Sequence, residues 1–323
     1  MFPEPTLVNR RHLLKAALAA SAATPGVAGA SAEMNLRAFA RARRFVETAA
    51  GRIAYVEQGK GPAAIFLHGW PLNGFHWRGA MHRLAGVRRC IAPDFLGLGH
   101  SAAAPGADLS PGAQAEMIAQ VMDALGVAQA DVVANDSGTG VAQLLAVRHP
   151  GRVRSLLLTN GDVHTNSPPE ALRPALDAAA TGELAVMIEG HLSEPGFAAS
   201  PEGLGGICYT DPANLTADAM QAYFPPLLAS PERRRQFQAY GVAFEPNPLP
   251  AIEARLRALT LPARMLWGTG DIHFAAEWAV WLDRALPGSR GVRLVEGAKL
   301  FFTEERPDLV AEEALKLWAA APA

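Results

Sequence analysis

Cysteine is scarce in this sequence: two residues in 323, Cys90 and Cys208. Two thiols far apart give neither a disulfide framework nor a metal-ligand spacing, so both are expected in the core, Cys90 within the apolar run Cys90-Ile91-Ala92. An excess of one charge is missing as well. Net charge is -2 with 19% charged residues, which gives no electrostatic case for a nucleic acid or an anionic membrane as partner. No apolar run reaches the roughly 18 residues of a membrane span, so no stable membrane anchor is expected. Internal repeats are lacking too, and the only low-complexity stretch is an Ala-rich leader. What remains is a chain that is 50% hydrophobic, long enough for one large α/β domain with an insertion or for two small domains.

The leader is not expected to belong to the fold. Asn9-Arg10-Arg11-His12-Leu13-Leu14-Lys15 precedes a mildly apolar stretch and then Ala30-Ser31-Ala32, a small-x-small cleavage pattern. Paired arginines before a weakly hydrophobic segment resemble a twin-arginine export signal, an address read by a receptor rather than an anchor. Residues 1–32 are therefore expected to engage the twin-arginine export machinery and be removed, leaving a periplasmic or secreted protein. The alternative is a plain N-terminal extension.

From residue 43 the pattern becomes regular. Segments 43–49 and 52–57 read as an antiparallel strand pair, and Ala63-Ala64-Ile65-Phe66-Leu67 is an apolar run of strand length, as for a strand covered on both faces. Helix 75–84, strand 89–92, helix 111–125, strand 130–133 and strand 153–158 continue the alternation, which predicts a doubly wound, mostly parallel sheet with its ligands at the carboxyl ends of the strands. Between 165 and 250 prolines and helical patterns replace it, as expected for a helical cap inserted over those ends. The alternation resumes at Ala263 and ends in a helix from Pro307 to Ala319. The expected α/β core thus comprises 43–164 and 251–320, with the cap at 165–250.

The most informative stretch is Val132-Val133-Ala134-Asn135-Asp136-Ser137-Gly138-Thr139-Gly140, an apolar run, a small-residue turn and then a helical pattern. Strand, tight turn and helix in that order form a nucleophile elbow, whose apex side chain stands on a strained backbone above the sheet edge. The positions two before, two after and three after the apex must be small. With Asp136 at the apex they are Ala134, Gly138 and Thr139; with Ser137 they are Asn135, Thr139 and Gly140. The spacing favours Asp136. The plainer reading is a strand-to-helix turn with Asp136 or Ser137 capping the helix.

His68-Gly69-Trp70-Pro71, the loop Asp94-Phe95-Leu96-Gly97-Leu98-Gly99-His100-Ser101, the Asp136 elbow, His149-Pro150 with Arg152-Val153, and Trp267-Gly268-Thr269-Gly270-Asp271 follow one another in the order of the α/β-hydrolase fold. Nearly all of 43–320 resembles that superfamily, and the His-Gly-x-Pro turn with an aspartate elbow is most similar to its epoxide hydrolase and haloalkane dehalogenase branch. The resemblance implies that Asp136 attacks carbon, that a histidine-activated water releases the ester, and that neither cofactor nor metal takes part. It implies an oxyanion hole from the backbone N–H groups of Trp70 and Ser137, and Asp271 as the acid that orients the histidine. Tyr209 and Tyr223 match the cap tyrosines that donate to an epoxide oxygen, with packing as the plainer role. His68 is expected to shape its turn, Asp94 to fix its loop, and His100 to be exposed. Phe224, Pro225, Pro226 and Trp70 suggest an apolar pocket for a small hydrophobic substrate.

The departures are specific. No histidine follows His273, and the register with Glu304, Glu305 and Pro307 places Leu300 where the family's base belongs. The residue after the nucleophile is Ser137 rather than Trp or Arg, and Trp70 replaces Asn in the turn, so halide-binding residues are missing. His164, after the strand before the cap, is the favoured replacement base; His273, two residues beyond Asp271, is the second. Three readings follow: a hydrolase of epoxides, esters or alkyl halides through Asp136; an esterase through Ser137; or a catalytically degenerate periplasmic binding protein.

Overall fold

A computed structural model describes residues 33–319. The export signal expected over 1–32 lies outside the described residues. Nine strands form one sheet: β1 (Arg44–Thr48), β2 (Gly51–Gln58), β3 (Ala63–Leu67), β4 (Arg89–Pro93), β5 (Ala102–Ala103), β6 (Ala130–Asp136), β7 (Val153–Gly161), β8 (Ala263–Gly268) and β9 (Ser289–Val295). Their spatial order is β1-β2-β4-β3-β6-β7-β8-β9, with β5 paired to β2. The ladders made by β2 are antiparallel, while the run from β4 through β3 to β9 is parallel.

Burial follows from this arrangement. Every residue of β3 and of β6 is buried, because helices cover both faces, so β3 is a continuous apolar run and β6 is one over Val132–Ala134 rather than an alternating pattern. On one face the helices Pro111–Ala124 and Ser137–Arg148 pack together. On the other, Pro307–Ala319 packs against Arg78–Leu84 and against β7 and β8. Polar groups at the sheet's amino ends are paired: buried Asp131 accepts from Arg88 Nε at 2.9 Å and from Ser155 Oγ at 2.7 Å.

Between β7 and β8 the described chain is helical, including Arg173–Thr181, Leu184–Ser193, Leu204–Cys208, Ala217–Tyr223 and Pro231–Val242. Among the described residues no helix is long and apolar enough to cross a membrane. Both cysteines are free thiols. Both are buried in the core, as expected, Cys90 in β4 and Cys208 where it also lines a cavity beneath the cap.

One buried carboxylate fastens cap to core. The Glu304 side chain is 3% exposed, receives the phenol O–H groups of Tyr209 at 2.7 Å and Tyr223 at 2.9 Å, pairs with Arg78, and has His76 Nδ1 at 3.7 Å. This corrects the assignment of those tyrosines to the substrate. Their hydroxyls are spent on Glu304, and neither residue lines the cavity beneath the cap. Burial pushes Glu304 up, but His76, Arg78 and Tyr209 outweigh it and bring the carboxyl down to about 2. A carboxyl held that low contributes on the order of 3 kcal/mol. The contribution is complete above the ordinary glutamate value of 4.5 and is lost as pH falls toward 2. Denaturant unfolding at pH 7 and pH 3 should therefore show a larger acid loss in wild type than in Glu304→Gln. At pH 7 that variant should be less stable by about 3 kcal/mol or more, because Arg78 loses its buried partner. Equal pH dependence in the two proteins would contradict this account.

Candidate active site

The elbow is formed by β6 running directly into helix Ser137–Arg148. Asp136 joins them at φ 55°, ψ −129°, a conformation that costs a non-glycine residue on the order of 1–3 kcal/mol and persists only when its surroundings enforce it. The surroundings are tight. A Cβ on Gly138 would stand 2.5 Å from the Leu67 carbonyl oxygen, and one on Gly69 would stand 2.3 Å from Asp136 Oδ2. Asp136 is thus the apex, and Gly138 occupies the small position two residues on.

The Asp136 carboxylate is held from the early turn, where Trp70 N–H donates to Oδ2 at 2.9 Å. His68 shapes that turn: its Nδ1 lies 2.8 Å from the Gly69 carbonyl oxygen and its Nε2 accepts from Phe95 N–H at 3.0 Å. Burial brings the imidazole down to about 4, so it stays neutral in that role. Asp94 fixes the next loop by accepting from Gly74 N–H at 2.9 Å and His100 N–H at 2.8 Å. His100, expected to be exposed, is half-buried instead.

Asp136 opens onto a cavity of about 600 Å³ beneath the cap. Trp70, Phe237, Ile188, Leu204, Phe274 and Leu300 supply much of its apolar wall. Its acidic and basic lining groups are Asp136, Glu194, Glu202, His191 and His273; among the described residues neither lysine nor arginine contributes. Burial, and then the nearby Asp162, push the Asp136 carboxyl well above the ordinary aspartate value, while His273 and the Trp70 amide pull the other way. Asp162 itself, just past β7, is raised to about 7 by burial, and its Oδ1 has no partner among the described residues.

Of the two histidines weighed as replacement bases, the structure brings His273 to the cavity. Asp271 Oδ1 accepts from the His273 backbone N–H at 2.8 Å and lies 3.3 Å from its Nδ1, while Asn160 Nδ2 donates to Asp271 Oδ2 at 2.9 Å. The ring is thereby anchored at Nδ1, and its Nε2 has no partner among the described residues. His191 also lines the cavity, but its Nδ1 lies 2.9 Å from the Met187 carbonyl oxygen and its Nε2 accepts from Leu204 N–H at 3.3 Å.

His164, the favoured candidate from sequence, is not part of this cavity. It turns into a left-handed conformation at φ 47°, pairs with Glu253 Oε2 at 2.9 Å and stacks on Trp281 at 4.7 Å. Ser137 also points elsewhere: its Oγ lies 3.3 Å from Tyr240 Oη, in a small separate pocket. Leu300 faces the Asp136 cavity, on a loop pinned by Asn135 Nδ2 donating to the Leu300 carbonyl at 3.0 Å and by Phe301 N–H donating to the Cys208 carbonyl at 2.8 Å. Among the described residues no cluster of three His, Cys, Asp or Glu side chains is arranged to hold a metal.

Comparison with known proteins agrees with the fold. The profile of the alpha/beta hydrolase fold matches residues 62–184. Haloalkane dehalogenase 2 of Mycobacterium bovis is 26% identical over 282 residues, covering 83% of this chain and 92% of that one. The chain has the α/β-hydrolase fold. Its likenesses include haloalkane dehalogenases and epoxide hydrolases. An ancestral haloalkane dehalogenase superposes with TM-score 0.68 at 25% identity, over 86% of this chain and all of that one, and an epoxide hydrolase shares the fold at TM-score 0.69 and 20% identity, over 86% and 98%. A 2-hydroxymuconate semialdehyde hydrolase of Pseudomonas putida is 41% identical over 114 residues, 35% of this chain and 40% of that enzyme. The match thus spans less than half of that relative's length.

The sequence reading missed three contributors: Asn160, which holds Asp271; Asp162, which burial places beside Asp136; and Cys208 in the cavity wall. Asn160 and Asp162 were legible only as a polar cluster at the end of an apolar strand. Nothing in the local sequence marks Cys208.

Proposed function

We propose that this protein is a hydrolase in which Asp136 is the nucleophile and His273, oriented by Asp271, activates the water that releases the product. The observation that carries this reading is the convergence of a strained elbow carboxylate and a carboxylate-anchored imidazole on one cavity. In the first step Asp136 bonds to the electrophilic carbon of the substrate and the leaving group departs with the bonding electron pair. In the second, His273 Nε2 takes a proton from water, whose oxygen attacks the Asp136 ester carbonyl. The Trp70 N–H, already 2.9 Å from Oδ2, stabilises the charge that develops there, and the Ser137 amide at the helix start is the second donor.

The lining indicates the substrate. Apolar walls, acidic groups and the lack of lysine or arginine favour a small uncharged molecule over a carboxylate-bearing one. With both cap phenols bound to Glu304, no tyrosine of the cavity is available to donate to an epoxide oxygen. Among the three substrate classes this counts against epoxides, as the missing halide-binding residues at positions 70 and 137 count against alkyl halides. The Ser137 reading has less support, because its hydroxyl neighbours Tyr240 rather than an imidazole.

A single turnover in heavy-oxygen water tests the mechanism. Mass spectrometry of peptides should find the label in the Asp136 carboxylate, with unlabelled oxygen in the first equivalent of product. Label in the product alone, with none in Asp136, would eliminate the aspartate route.

A further inference from the structure

A second recess lies where the cap meets the core and shares no lining residue with the Asp136 cavity. It has a volume of about 490 Å³, and three basic side chains face it: Arg43 at the end of helix Leu36–Ala42, His100 in the Asp94 loop, and Arg233 on the cap helix Pro231–Val242. The nearby carboxylate, Asp94, is already engaged by two backbone N–H groups. Arg233 donates to the carbonyl oxygens of Ser101 and Gly99 and to Gln236 Oε1, all uncharged acceptors. Arg43 has neither hydrogen bond nor ion pair among the described residues. Burial lowers both guanidinium groups from the ordinary arginine value. His100 is also lowered, first by burial, with Asp94 opposing and Arg43 and Arg233 adding to the effect. Asp94 acts on both guanidiniums, and Glu232, which also acts on Arg233, is already bound by Arg235 and Gln236, while Arg43 makes no ion pair of its own among the described residues in this partly desolvated recess. That leaves positive charge without a counter-charge, and a bound anion would offset the cost.

We propose that this recess binds a small oxyanion, with Arg43 and the His100 imidazole as its ligands and Arg233 as a fixed neighbouring charge. Its three basic residues come from the first described helix, a core loop and the cap. The anion therefore braces the cap against the core and takes no part in turnover at Asp136.

The probe is inorganic phosphate, added to the full chain at constant ionic strength against chloride, with the His100 ring protons followed by NMR across pH. Phosphate should raise the His100 midpoint by on the order of half a pH unit, because the imidazolium gains an anion beside it. Arg43→Gln should remove that rise and Arg43→Lys retain part of it. The melting temperature should rise with phosphate more in wild type than in Arg43→Gln, which separates a site from the general stabilisation that phosphate gives as a salt. A His100 midpoint that ignores phosphate, or that moves equally in wild type and Arg43→Gln, overturns the proposal. Turnover should be unchanged in Arg43→Gln, so these readouts stand apart from the fate of the aspartate mechanism.

Discussion

Asp136→Ala is expected to reduce kcat/KM on the order of 10⁴-fold or more, the scale of loss when a covalent nucleophile is removed, and to melt at a higher temperature than wild type at pH 7. The two effects have one origin. Burial raises the Asp136 carboxyl well above the ordinary aspartate value of 3.8. The folded state therefore holds its proton more tightly than the unfolded chain does, and stability falls as pH rises above 3.8 toward the folded value. Removing the carboxyl removes that penalty and leaves the backbone strain at φ 55° in place, since alanine disfavours this conformation no less than aspartate does. A stable, inactive variant is thus the expected outcome. The wild-type rate should also have an acid limb with a midpoint above the ordinary aspartate range, because attack needs the ionised form. Undiminished turnover in Asp136→Ala, assayed with alkyl halides and esters and with calorimetry on the same samples, would remove Asp136 from the mechanism.

His273→Ala should separate the two chemical steps. The first equivalent of leaving group should still appear, after which turnover should slow by about 10²- to 10⁴-fold, the range for a lost general base. Mass spectrometry should then find Asp136 carrying the substrate fragment. The acid limb should also move upward, because the neighbouring imidazole lowers the Asp136 value in wild type. Leu300 faces the same cavity and invites the complementary test. Leu300→His in the His273→Ala background should restore part of the turnover by returning an imidazole to the position that the family pattern reserves for one. Rapid steady turnover in His273→Ala alone would mean that another group activates water. Tight binding of an apolar ligand with no product, even in wild type, would instead favour the binding-protein reading.

These expectations depend on features of unequal legibility. The sheet was legible because strands buried on both faces are built on continuous apolar runs, as Ala63–Leu67 and Val132–Ala134 are. The elbow was legible because the position that crowds the Leu67 carbonyl, Gly138, falls at a fixed spacing two residues after Asp136 and so leaves a mark in the local sequence. Side-chain direction beyond a strand end was not. β6 and β7 slip register between Ala134 and Asp136, and the chain then turns at His164 with positive φ. Counting from Leu158 could not show that the imidazole faces Glu253. Tyr209 and Tyr223 were misassigned for a different reason. Their partner Glu304 lies 95 and 81 residues away, and a buried charge cluster leaves no local periodicity. The short pieces Ala102–Ala103 and Leu204–Cys208 are below the length at which a pattern can be counted.

Glu304 has one more consequence. It lies four residues after Leu300 and receives two phenols from the cap, while Phe301 N–H holds the Cys208 carbonyl from the same side. The lid and the loop at position 300 are therefore one heritable module. A cap transplanted from another protein of this fold would need hydroxyl donors at the equivalents of Tyr209 and Tyr223, or Glu304 would keep only Arg78 and His76 as partners.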